Sequence, residues 1–121
     1  MSEVRFVVLG EPQGKVTYAP EKTVLYENLI AMEYLAQCGG KFFGQGVPIG
    51  VRIDCYLKQP KSKRRSAYPC KRPDVDNIMK TWDGLNGVAW YDNSQIVDAH
   101  VNKYWADVQP RIEVTIWEVG E

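Results

Sequence analysis

Apolar residues along the chain follow two rhythms, and the switches between them mark out the elements. Residues 3–9, Glu-Val-Arg-Phe-Val-Val-Leu, are rich in β-branched and aromatic types and stop at Gly10-Glu11-Pro12, which predicts a strand. From about 21 to 37 the period lengthens: Leu25, Leu29, Met32 and Ala36 recur at three and four, with Glu27 and Glu33 on the polar side. That spacing predicts an amphipathic helix with those four on its apolar face, ended by Gly39-Gly40. Residues 49–57 return to strict alternation and place Ile49, Val51, Ile53, Cys55 and Leu57 on the buried face of a second strand.

No period survives between 58 and 73, where Pro60, Pro69 and Pro73 predict an exposed loop. Asp74 then stands as an N-cap. From there Val75, Ile78, Met79, Trp82 and Leu85 share one helical stripe and Asp76, Lys80 and Asp83 another, until Asn86-Gly87. Val88-Ala89-Trp90-Tyr91 is a short apolar run closed by the turn residues Asp92-Asn93-Ser94. Strands follow at 96–105 and 111–119, the last with Ile112, Val114, Ile116 and Trp117 expected to contribute to burial. The order β-α-β-α-β-β predicts an α+β fold, a small mixed β-sheet covered by two helices, in a single domain over residues 1–121.

Composition narrows the class. With 45% hydrophobic and 25% charged residues the chain is ordinary for a globular protein. No apolar run reaches the roughly 18 residues of a membrane span, and the first residues lack the basic and apolar regions of a signal peptide, so a cytoplasmic address without membrane attachment is expected. Cys38, Cys55 and Cys70 have no metal-binding spacing and His100 is the single histidine, so reduced thiols are expected and a zinc site is not.

Net charge is zero, but its distribution is not even. Residues 58–72 hold Lys58, Lys61, Lys63, Arg64, Arg65, Lys71 and Arg72 and no acid, whereas the remainder has eight basic and fifteen acidic residues. A basic window of this kind is either a solvated loop or a phosphate-binding surface. Directly after it come Asp74 and Asp76, with Lys80 one turn on and Asp92-Asn93 on the later turn. Carboxylates beside a cationic arm suit a hard divalent ion brought to a phosphate backbone. Each also has a plain structural role: Asp74 as a cap, Asp76 with Lys80 as a helical ion pair, Asp92-Asn93 as a turn.

Residues 71–80 and 92–97 together resemble the signature of the RusA family of Holliday junction resolvases: Pro-Asp-x-Asp-Asn-x-x-Lys, a short helix with Asp-x-Leu, then an acidic pair before x-Gln-[Ile/Val]-Val. The resemblance implies a homodimeric, Mg²⁺-dependent endonuclease, with Mn²⁺ as a substitute ion, that nicks opposing strands of four-way junction DNA and is similar to proteins encoded by prophages. Carried over by position, Asp74 and Asp76 would bind the metal, Lys80 would be the catalytic lysine, and Asp92 and Asn93 would complete the metal set. The basic window and Lys15 would meet DNA. Two positions depart from the pattern. Asn93 stands where the family has its third aspartate; its amide brings no negative charge, which predicts that Asn93→Asp raises activity. The N-terminal basic loop is reduced to Gly14-Lys15. A catalytically impaired junction-binding protein is therefore the alternative, and a single-strand or RNA-binding module stacking bases on Tyr68, Trp90 and Tyr91 is a third reading.

Overall fold

The computed structural model describes residues 2–14, 20–61 and 66–120. Strands β1 (Glu3–Leu9), β2 (Ile49–Leu57), β3 (Ile96–Trp105) and β4 (Arg111–Glu118) form one sheet in the order β1-β4-β2-β3. The pairs β1–β4 and β4–β2 are antiparallel and β2–β3 is parallel, so the sheet is mixed. A parallel neighbour needs a crossover. Here it is residues 58–95, which carry helix α2 (Val75–Met79) and the 3₁₀ turns Lys80–Gly84 and Asn93–Gln95. The fold is thus the expected α+β arrangement, with α1 (Pro20–Cys38) packed on β1 and the 3₁₀ turn Lys80–Gly84, and α2 on β3.

Alternation in the strands decides the core. Ile49, Val51, Ile53, Cys55 and Leu57 of β2 are all buried, as are Ile112, Val114 and Ile116 of β4. Their neighbours form the opposite, polar face, where Arg5 pairs with Glu113 and Arg52 with Asp54. Trp117 belongs to that face and lies flat on Gly50, where an added Cβ would fall 2.2 Å from the indole. Cys38, Cys55 and Cys70 are free thiols, and burial pushes the Cys55 thiol up to about 12.

The first helix turns a different face inward from the one its leucines suggest. Thr23, Tyr26, Ile30 and Tyr34 are buried, while Leu25, Leu29, Met32 and Ala36 are exposed. The physical reason is size. Tyr26 and Tyr34 fill the space above the sheet, with Tyr34 edge-on to Phe6, and the Tyr34 hydroxyl donates to the Lys41 carbonyl.

The second helix is shorter than its stripe implies, because the chain tightens to 3₁₀ geometry at Lys80. Three residues per turn instead of 3.6 shifts the inward face. Ile78, Thr81 and Leu85 are buried, while Val75 is exposed and Trp82 is partly covered. The turn comes so close to α1 that a Cβ on Gly84 would lie 2.7 Å from the Glu27 carbonyl oxygen.

Candidate nucleic-acid and metal site

The crossover from β2 to β3 carries every site residue the sequence singles out except Lys15. That residue, with Lys63, Arg64 and Arg65, lies outside the described residues. Lys58, Lys61, Lys71 and Arg72 are exposed. The loop bearing them is tied down at its far end. Trp105 Nε1 donates to the Ser66 carbonyl at 2.8 Å, and the Lys71 ammonium sits 5.5 Å from the Trp105 ring centroid while donating to the Lys58 carbonyl at 3.3 Å. A cation over an indole keeps its charge and loses freedom.

Lys103 of β3 fixes the point where this loop becomes α2. Its ammonium donates to the Lys71 carbonyl at 2.6 Å and to the Pro73 carbonyl at 3.1 Å. From the other side Gly14 presses against the same corner, where a Cβ would lie 2.8 Å from Asn77 Cβ and 3.0 Å from Pro73 Cβ. Asp74 follows as the N-cap of α2 in extended conformation, with no hydrogen bond from its side chain to the helix. Asp74, Asp76 and Lys80 are all exposed. The helical ion pair expected between Asp76 and Lys80 is not among the ion pairs of the described residues. Two carboxylates and an ammonium thus face solvent from a braced helix start.

The turn at the other end is built differently. Asp92 caps the 3₁₀ turn Asn93–Gln95: its carboxylate accepts from the Ser94 amide at 2.9 Å, and its own amide donates to Gln95 Oε1 at 2.8 Å. The Ser94 hydroxyl and amide hydrogen bonds hold the Asp92 carboxyl below its usual range. Gln95, buried, also donates to the Gly44 and Val47 carbonyls at 2.7 and 3.0 Å, pinning the loop before β2. Asn93 is engaged at both ends of its amide. Trp90 Nε1 donates to Asn93 Oδ1 at 2.9 Å, and Asn93 Nδ2 donates to Asp83 Oδ1 at 2.8 Å. Trp90 itself is fully buried, which removes it as a stacking surface; Tyr68 and Tyr91 are exposed.

A rise of about 1.5 Å per residue in α2 and about 2 Å in the 3₁₀ turn separates Asp76 from Asp83 by roughly 12 Å along the axis. The site is therefore a row, with free carboxylates at one end and the Asn93–Asp83–Trp90 network at the other. Among the described residues, no three His, Cys, Asp or Glu side chains gather where they could hold a metal ion. A hard cation takes oxygen donors; Asp74 and Asp76 offer them unengaged, whereas Asp92 and Asn93 are already bonded within the protein. Lys103 and Trp105 were not evident from sequence, and Gln95 was visible only as part of the signature and without a role, since each acts on main-chain carbonyls brought near only by the fold.

Comparison with known proteins adds the following. The family model described as endodeoxyribonuclease RusA matches residues 5–117. The uncharacterized protein YqaN of Bacillus subtilis (strain 168) is 32% identical over 144 aligned positions, covering 99% of both chains. The crossover junction endodeoxyribonucleases RusA of Enterobacteria phage 82 and of Escherichia coli (strain K12) are each 34% identical over 79 residues, covering 64% of this chain and 58% of theirs.

Proposed function

Because the chain belongs to the RusA family of endodeoxyribonucleases, we propose that it is a Mg²⁺-dependent endonuclease, acting as a homodimer on four-way junction DNA. The observation that carries this reading is the braced start of α2. Asp74 and Asp76 stand exposed and unengaged there, while Lys103 and Gly14 hold the backbone beneath them. Held by these two carboxylates, Mg²⁺ would neutralise phosphate charge and acidify a water. Asp74 and Asp76 bind and orient. Lys80, on the same side of the helix as Asp76, presents an ammonium to a phosphate oxygen, and the exposed Lys58, Lys61 and Arg72 track the backbone.

The test is nicking of a synthetic four-way junction with and without Mg²⁺. Asp76→Asn is expected to lose at least a hundredfold in rate while still shifting the junction in a binding assay. Unchanged cleavage by this variant would sink the assignment. A second reading, junction binding without catalysis, draws support from Asn93, whose amide is committed to Trp90 and Asp83. Wild-type protein that binds junctions tightly and never nicks them in Mg²⁺ or Mn²⁺ would favour that reading.

A further inference from the structure

Tyr56 of β2, Tyr104 of β3 and Arg111 of β4 occupy one register row on the polar face of the sheet. Neighbouring strands lie about 4.8 Å apart, so planar side chains in such a row stack on one another. The Arg111 guanidinium sits 4.0 Å from the Tyr56 ring centroid, and Tyr56 and Tyr104 stack at 5.3 Å with their planes 29° apart. Since β3 is an edge strand, the sheet itself ends the column there. One more ring joins it from outside the sheet: Tyr68 of the basic loop, 6.4 Å from Tyr104 and tilted by 48°. We propose that this last step is a clamp for one unpaired nucleobase of DNA, held between the rings of Tyr104 and Tyr68.

Three observations point to a base. The first is spacing. A planar ring between two others needs about 7 Å, twice the packing distance of carbon atoms. The step to Tyr68 comes within about 1 Å of this, and the step inside the sheet does not. The second is freedom on one side only. Tyr104 is partly buried with Tyr56 stacked beneath it, and the loop is fastened around Tyr68: Trp105 Nε1 donates to the Ser66 carbonyl on the other face of β3, and Pro69 is buried. The Tyr68 side chain between them is 63% exposed. Its ring can therefore turn flat by side-chain rotation while the backbone stays in place. The third is charge. Residues 58–72 hold seven cations and no acid, and Lys58, Lys61, Lys71 and Arg72 on either side of Tyr68 are exposed. Phosphates flanking a clamped base meet those cations, whereas an aromatic side chain of a protein partner brings no charge to match them.

The clamp rests on the DNA reading for its ligand and is tested without cleavage, in EDTA. Two probe pairs keep every phosphate and differ only in bases: an oligothymidine single strand against its abasic counterpart, and a four-way junction with one unpaired thymine at the branch against the same junction abasic there. Wild-type protein is expected to bind the base-bearing member of a pair about tenfold more tightly, the worth of one stacked base. Tyr68→Ala, at an exposed position, should keep its circular dichroism and its affinity for the abasic probes and lose the discrimination. Tyr68→Phe, which keeps the ring, should retain it. Discrimination on the junction pair puts the clamped base at the branch; discrimination on the single strand alone makes single-stranded DNA its source. Wild type that tells neither pair apart, Tyr68→Ala that still does, or Tyr68→Phe that does not would overturn the clamp. Failure of the clamp beside Asp76-dependent nicking leaves the nuclease reading standing, and a working clamp on a chain that never nicks overturns that reading alone.

Discussion

Asn93 shows how one side chain can carry two opposed expectations. By position it is a missing carboxylate, and restoring the acid should raise activity. In the fold its Nδ2 donates to Asp83, and an aspartate there would replace a 2.8 Å hydrogen bond with two facing carboxylates. Trp90 would keep its acceptor, so the loss falls on the Asp83 side. Asn93→Asp is expected to destabilise the metal-free protein by about 1–3 kcal/mol, the cost of a lost partner and a like charge. Mg²⁺ should return part of that loss, because a cation between two carboxylates reverses the repulsion. Thermal melting with and without Mg²⁺ measures both; a melting temperature unmoved in either condition would show that the pair is not coupled. Asp76 and Lys80 illustrate the converse. Their spacing alone reads as an ion pair, yet both are left to solvent, which suits groups that meet a ligand.

Elements differ in how much of their form is local. The strands were legible because their residue types and the turn residues bounding them are local properties: the bounds of β1, β2 and β3 coincide with the expected ones, although burial alternates in β2 and not in β3. Helix α1 was legible in extent and not in orientation. It has two apolar stripes, and only the sheet, by accepting the tyrosines, decides which is core. The 3₁₀ turn after Met79 was not legible, since Gly84 against Glu27 is a tertiary contact that sets the pitch. The turn Asn93–Gln95 depends on its capping box, and this has a pH consequence. The Asp92 carboxyl is depressed in the fold by the Ser94 hydrogen bonds. Its stabilising contribution is complete above the unfolded value of about 3.9 and is lost as pH falls through the lower folded value. Asp92→Asn should therefore lessen the decline of melting temperature below about pH 4. A decline of equal steepness in both proteins would remove Asp92 as its source.

Across the whole molecule, charge is sorted by the crossover. The basic loop, the free carboxylates and the Asn93 network all belong to the segment between two parallel strands, and Lys103 and Trp105 at the end of β3 fasten it. Junction binding should consequently fall steeply with salt, by a slope of about 0.9 per phosphate contact released. Removing the exposed charges Lys61 and Arg72 together should flatten that slope by about two. A salt-insensitive affinity, or an unchanged slope in the double variant, would take the loop out of the DNA surface. Among the described residues no helix is long and apolar enough to cross a membrane.

What the chain determined by itself is the set of strands, the order of elements and the signature from Pro73 to Val97, because alternation, turn residues and short motifs are written in neighbouring positions. Only the tertiary structure decided which face of α1 meets the sheet, where α2 tightens, and that Asp74 and Asp76 remain free while Asp92 and Asn93 are bonded inward. Each of those outcomes depends on groups far apart in sequence competing for the same space or the same hydrogen bond, and that competition exists only once the crossover has brought them together.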